Sequence, residues 1–160
     1  FYFCAKENIL FSGIQRNTLS GINYVVETLK IDELLILDGK GYHLDTFFTP
    51  VLDSQNLLCA TIVCDEILTS KSRKDLYEFS KKRNLPIFKV PLKDSIGTLG
   101  NIGSLSVNAL PLPGVLISPN NFTNKSIDRN LSELGVKRVV TPTSQFELSG
   151  GSIHCLTNEL

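Results

Sequence analysis

The chain of 160 residues is long enough for one domain with a proper core and short for two. Its 42% hydrophobic and 20% charged residues are an ordinary globular composition. Its 16 basic and 16 acidic side chains cancel, so there is no electrostatic case for nucleic acid or a membrane as partner, and apolar runs such as LLCATIVC (57–64) are far too short to span a bilayer.

From the N-terminus, YFCAKENILFSG (2–13) reads as two short strands around a Lys6-Glu7-Asn8 turn. NTLSGINYVVETLK follows as a helix with Ile22, Val25, Val26 and Leu29 on one face, and DELLILDG (32–39) as a buried strand. The order then recurs. HLDTFFTPVLDSQNLLCATIV (43–63) is a strand pair around Asp53-Ser54-Gln55-Asn56. TSKSRKDLYEFSKKRN (69–84) is an amphipathic helix with Leu76 and Phe79 inward and basic residues at its C-terminal end, where the helix dipole favours them, and LPIFKVPL (85–92) is a strand. GTLGNIGS (97–104) carries glycines but opens no helix, so it reads as a loop rather than a phosphate cradle. In the third round SLSVNALPLPGVLISP (104–119) turns at Pro113-Gly114, SIDRNLSELG (126–135) is a helix stopped by Gly135, and VKRVVTP (136–142) is a strand. IHCLT (153–157) reads as one more strand. The chain is therefore expected to be an α/β repeat of about three ββαβ units, over approximately 1–42, 43–96 and 97–160. A doubly wound fold would instead alternate single strands with helices.

Four cysteines, Cys4, Cys59, Cys64 and Cys155, form no CxxC pair, which argues against a structural zinc site. Their scatter is not a disulfide framework and points to a reducing cytoplasm. The sequons at Asn121, Asn124 and Asn130 cluster around a predicted helix start, where Asn and Ser serve as caps.

Two places could carry chemistry. His43 and Asp45 are separated by one residue, a spacing that puts both side chains on one face of a strand. Cys155 follows Gly150-Gly151, where backbone can come close to a ligand. A thiol acts as nucleophile only with a lowered pKa or a base nearby, which a histidine distant in sequence can supply. The competing readings are plain. A lone cysteine in an apolar strand is usually core filler, and a histidine at a strand end is usually a hydrogen-bonded surface residue. His154, in a strand, would face away from Cys155 and stays outside the chemistry.

GYHLDTFFTPVLD (41–53) together with LSGGSIHCLTNEL (148–160) resembles the guanidino-group modifying enzyme superfamily, the pentein α/β-propeller fold. Its members include arginine deiminases, dimethylarginine dimethylaminohydrolases, agmatine deiminases and amidinotransferases. FYFCAKENILFSGIQRNTLSGI (1–22) resembles the family's hairpin and R-T-N-x-x-G-I segment, HLDT its histidine motif, and GGSIHCLT its terminal cysteine motif, in family order.

The resemblance implies roles. Cys155 matches the nucleophile, His43 the general acid/base, and Asp45 the carboxylate that binds guanidinium nitrogens. Arg16 matches a position that in some members meets the substrate carboxylate, although the local match is RNT rather than RTN. Gly150 and Gly151 match the loop that brings backbone to the substrate. The implied activity is a cysteine-dependent hydrolase of arginine or an arginine derivative, of deiminase or dihydrolase type, acting through a covalent thiouronium-like intermediate. An amidinotransferase would use the same residues with an amine acceptor, and a non-catalytic pentein would only bind. No metal or cofactor is implied, the partner is a small guanidino compound, and a homo-oligomer stays open. The family fold closes five modules, and its members carry an acidic residue in a G-G-D segment ahead of the strand that Phe1-Tyr2-Phe3 resembles. The chain, which lacks Met and starts at Phe1, is accordingly expected to be about three of five modules, the C-terminal part of a single pentein domain, and not to turn over substrate alone.

Overall fold

The computed structural model describes residues 1–157. Strands β1 (Tyr2–Cys4) and β2 (Ile9–Gly13) pair antiparallel around a turn in which Asn8 takes a φ of 55°. Helix α1 (Leu19–Leu29) starts at Thr18, whose hydroxyl accepts from the Gly21 N–H at 3.1 Å, and stops at Lys30 in the left-handed region. Strand β3 (Glu33–Leu37) returns parallel to β2. A tight turn can join only antiparallel strands, so the helix is the crossover that allows this parallel neighbour.

The same path is walked twice more. A 3-10 turn over Leu44–Thr46 leads into β4 (Phe48–Leu52) and β5 (Leu58–Val63), antiparallel to each other. Helix α2 (Ser70–Arg83) then returns the chain as β6 (Ile87–Lys89), parallel to β5. A small hairpin, β7 (Gly97–Thr98) and β8 (Asn101–Ile102), precedes β9 (Leu110–Leu112) and β10 (Val115–Ser118). After α3 (Ser126–Glu133) comes β11 (Lys137–Val140), parallel to β10. The sheets β1-β2-β3, β4-β5-β6 and β9-β10-β11 thus share one ββαβ topology. Helix α4 (Ser144–Glu147) and a 3-10 turn over His154–Leu156 end the described chain. Among the described residues no helix is long and apolar enough to cross a membrane.

Four sequence expectations are corrected. Residues 97–104 contain a hairpin rather than a plain loop; a Cβ on Gly97 would strike the Asn101 carbonyl and one on Gly103 the Ser95 carbonyl, so the glycines allow two backbones to cross closely. Residues 43–46 are not the start of a strand, because the His43 carbonyl accepts both the Thr46 N–H at 3.1 Å and its hydroxyl at 2.6 Å, closing a turn. Residues 153–157 are likewise no strand, since Leu156 N–H bonds Ser152 O at 3.1 Å and Thr157 N–H bonds His154 O at 3.1 Å. In α1 only Ile22 is buried, Val25 and Val26 are half-buried, and Leu29 is 53% exposed. Periodicity marks the side of a helix; the sheet beneath decides which turns are covered.

The core runs through all three units and includes Phe11, Phe47, Phe48, Phe122, Leu76 and Leu116, all fully buried. Each such side chain contributes about 1.5–3 kcal/mol on burial. Where the units meet, Tyr2 Oη of the first lies 3.3 Å from Thr49 Oγ1 of the second and donates to Ala109 O of the third at 3.4 Å. Thr49 also donates to Val107 O. Farther out, Arg83 at the end of α2 pairs with Glu33 of β3 and, at 3.4 Å, with Glu7 of the first turn. The junction around Tyr2 brings together residues more than a hundred positions apart, and the candidate site lies beside it.

Candidate active site

Asp45 sits in the middle of the 3-10 turn Leu44–Thr46 and is only 8% exposed. Its Oδ2 accepts from His154 Nδ1 at 2.9 Å and from the Cys155 thiol at 3.3 Å. Its Oδ1 is buried and has no hydrogen-bond partner among the described residues. Burial alone would raise this carboxyl's pKa. The hydrogen bond and charge of His154, then the hydrogen bond from Cys155, outweigh burial and hold it below the ordinary aspartate value. The site therefore contains an ionised carboxylate with one oxygen engaged and the other unpaired.

The closing turn His154–Leu156 presents histidine and cysteine side by side. A 3-10 turn directs consecutive side chains about 120° apart, whereas a strand would send them to opposite faces, so both reach the same carboxylate. The His154 ring also packs against Tyr2, with centroids 4.3 Å apart. Gly150 enters this segment with a φ of 83°, a conformation that favours glycine, and a Cβ on Gly151 would come within 3.5 Å of the Cys155 Cβ. Gly150 thus meets the backbone demand of the segment that delivers Cys155, whereas the space at Gly151 would admit a side chain in ordinary contact.

Asn108, fully buried ahead of β9, ties the pieces together. Its Nδ2 donates to Cys155 Sγ and to Asp45 O, each at 3.3 Å, and its Oδ1 accepts from His154 N at 3.0 Å. Burial pushes the Cys155 thiol up; a backbone hydrogen bond at Ser152 opposes this, the charge of Asp45 adds to it, and Asn108 opposes it. Cys155 is nonetheless an exposed residue, whereas Cys4 and Cys64 are core and Cys59 is half-buried. Burial, with Asp53 near one and Glu66 near the other, pushes Cys59 and Cys64 up to about 11.

His43 and Arg16 line a cleft of about 200 Å³ together with Gly13, Gln15, Asp45 and His154. Here Tyr42 meets both: the Arg16 guanidinium lies 4.2 Å from its ring centroid and the His43 ring 4.5 Å away. Cleft and thiol thus share Asp45, which lines the first and touches the second. Among the described residues no cluster of three or more His, Cys, Asp and Glu could hold a metal ion.

No protein-family model matches this sequence, and no curated protein sequence does either. Solved structures do match. The arginine dihydrolase ArgZ from the ornithine-ammonia cycle in cyanobacteria, without ligand, superposes with a TM-score of 0.74 at 22% identity over 96% of this chain and 23% of its own. Its N-terminal domain bound to substrate gives 0.73 at 23% identity, over 96% of this chain and 52% of its own. SxtG, an amidinotransferase of the saxitoxin biosynthetic pathway from Microseira wollei, gives 0.60 at 17% identity, over 93% of this chain and 43% of its own. The chain shares with these domains the fold of the part that it covers, repeated ββαβ units as in penteins. It spans about half the length of the ArgZ N-terminal domain and a smaller share of full-length ArgZ.

Within this fold the sequence-predicted residues divide into two groups. Asp45 and Cys155 meet directly, while His43 and Arg16 stand on the cleft wall with Asp45. The inference that a strand places His43 and Asp45 on one face fails, because the segment is a turn. The ground for leaving His154 aside is also corrected: the segment is a 3-10 turn and not a strand, and the ring bonds Asp45. Asn108 was missed altogether. The available signal was a carboxamide inside the apolar run SVNALPL (106–112), since a polar residue so placed must find buried partners.

Proposed function

We propose that the protein acts on a guanidino compound, arginine or an arginine derivative, as a cysteine-dependent hydrolase of deiminase or dihydrolase type. One observation carries this reading: the Asp45 carboxylate, nearly enclosed, binds His154 and Cys155 through one oxygen and keeps the other buried without a hydrogen-bond partner, and Asp45 is one of the residues lining the cleft. An unpaired buried carboxylate oxygen costs several kcal/mol unless a cation or donor meets it, of the order of the penalties for uncompensated buried charge. A planar guanidinium offers two parallel N–H groups, which suits a carboxylate edge better than an ammonium does.

The chemistry follows from the neighbours. A guanidinium carbon is a poor electrophile because resonance spreads its charge. A cation seated on Asp45 offsets the negative charge that disfavours the Cys155 thiolate, so substrate binding and nucleophile activation go together. The sulfur then forms a bond to the guanidinium carbon, and one C–N bond breaks as the departing nitrogen takes a proton from His43. Water, deprotonated by the same imidazole, adds to the carbon and the C–S bond breaks, returning the thiol. Ammonia and a ureido product leave; a further hydrolysis of that product would make the reaction a dihydrolysis. In this scheme His154 orients Asp45, and Arg16, held against Tyr42 at the rim, receives an anionic tail.

An amine in place of water would give an amidinotransferase with the same residues, and the likeness to SxtG supports keeping that acceptor in the assay. The domain reading is that these three units belong to a five-unit propeller in a cytoplasmic enzyme. Phe3, Leu19 and Tyr24 of the first unit are exposed apolar side chains that a further unit would cover.

The test is to incubate the full-length protein with arginine, agmatine and methylated arginines, with and without an amine acceptor. Ureido product, ornithine and ammonia are measured. Turnover that Cys155→Ser abolishes, with an unchanged circular dichroism spectrum, is the expected result. Undiminished turnover by that variant, or none of these guanidines processed by the parent, sinks the proposal.

A further inference from the structure

We propose that Asn108 is the positioning residue of this site: its side-chain amide clamps the Cys155 sulfur to the Asp45 turn, so that thiol and carboxylate face one bound cation. The assignment rests on the guanidino-hydrolase reading for its purpose, and on geometry alone for its substance.

The amide's capacity is fully used. Its two N–H groups go to Cys155 Sγ and to the Asp45 carbonyl, and its oxygen takes the backbone N–H groups of His154 at 3.0 Å and Cys155 at 3.4 Å. One side chain from the third unit thereby fixes two 3-10 turns, Leu44–Thr46 and His154–Leu156, that lie 63 and 46 positions from it in sequence. The turn that presents Asn108 places Leu105 at a φ of 50°, which bulky side chains seldom adopt, and Asn108 N–H closes it on Leu105 O at 2.8 Å.

A buried asparagine that merely filled space would give its N–H groups to carbonyls, which are strong acceptors. Asn108 gives one to a sulfur. A neutral thiol is a weak acceptor, whereas a thiolate is a strong one, so this bond gains strength when the sulfur is ionised. The sulfur has two side-chain neighbours at 3.3 Å with opposite effects: the Asp45 carboxylate opposes its ionisation and the Asn108 amide supports it. When a cation neutralises the first, the second is already in place.

Asn108→Asp keeps the shape, removes the N–H donors and adds a negative charge. The readout is the pH profile of Cys155 alkylation by iodoacetamide, followed by peptide mass spectrometry against Cys4, Cys59 and Cys64. The expected result is a profile moved to higher pH, with alkylation at pH 8 slowed about tenfold or more, the factor belonging to one pKa unit. Where turnover is present, kcat falls more than KM rises. A folded Asn108→Asp protein with the parent profile overturns the proposal. Should that variant not fold, the Asn108 side-chain amide resonances of the ¹⁵N-labelled parent decide. They are expected to shift with the Cys155 ionisation midpoint and to lose that shift in Cys155→Ser; indifference to the thiol overturns the assignment. Neither readout needs turnover. A moved alkylation profile in a protein that processes no guanidine leaves Asn108 assigned and removes only the proposed reaction.

Discussion

Replacing Asp45 by Asn should move two properties of one site in opposite directions. The substitution keeps the side chain's shape and removes the charge that sits 3.3 Å from Cys155 Sγ and 2.9 Å from His154 Nδ1. At an effective dielectric of about 20, two unit charges at that sulfur–oxygen distance repel by about 5 kcal/mol. Solvent at the exposed thiol screens most of this, leaving about 1–2 kcal/mol, or roughly a five- to thirtyfold gain in thiolate at neutral pH. Alkylation of Cys155 by neutral iodoacetamide should therefore accelerate. Turnover should collapse, because the guanidinium loses charge-assisted hydrogen bonds of about 1.5–3 kcal/mol each. Losing two of them lowers kcat/KM by roughly 10²- to 10⁴-fold. The assay pairs timed alkylation with steady-state ammonia release on the same preparations. A variant whose thiol becomes slower, or whose kcat/KM stays within a few-fold of the parent, would refute the placement of Asp45 between nucleophile and substrate.

The two histidines should separate in turnover. His43→Asn is expected to lower kcat by a factor of about 10² or more, the scale of a lost general acid/base, while His154→Asn chiefly lowers kcat/KM, because it only orients Asp45. Arg16→Gln should raise KM for arginine about tenfold or more and leave agmatine, which has no carboxylate, nearly unchanged; equal effects on both would remove Arg16 from the carboxylate role. Arg83→Met should cost about 1–2 kcal/mol, a Tm drop of roughly 3–8 °C, by leaving Glu7 and Glu33 half-buried without their partner. Burial raises the Glu33 carboxyl, but the hydrogen bonds and charges of Arg83 and then Lys82 depress it below its ordinary value. Its contribution to stability is thus present above that value, near 4.5, and lost as pH falls through the folded-state value. The Tm gap between parent and variant should narrow between neutral pH and pH 3, and a constant gap would exclude the linkage.

Much of this molecule is legible from local pattern. The hairpin around Lys6-Glu7-Asn8, the helices over 70–83 and 126–133, and the threefold ββαβ recurrence all follow from side-chain periods and turn residues, which act over a few positions. Asp45 and Cys155 could be singled out because the motifs HLDT and GGSIHCLT carry them. What periodicity could not supply was the shape of short segments flanked by irregular chain. Residues 43–46 and 153–157 carry residues that also suit strands, yet local backbone hydrogen bonds close each into a 3-10 turn, and Asn108 holds both turns from a distance. The exposure of Leu29 was equally out of reach, since it depends on what lies beneath the helix. Asn108 and His154 belong to the same category. Their roles exist only once Tyr2, Thr49 and Ala109 draw three sheets to one junction, placing an amide, an imidazole, a thiol and a carboxylate within hydrogen-bond distance across as many as 110 positions of chain. Sequence alone determined the repeating unit and pointed to Asp45 and Cys155 as candidates; tertiary packing decided which neighbours those residues have, because hydrogen bonds and charge act through space rather than along the chain.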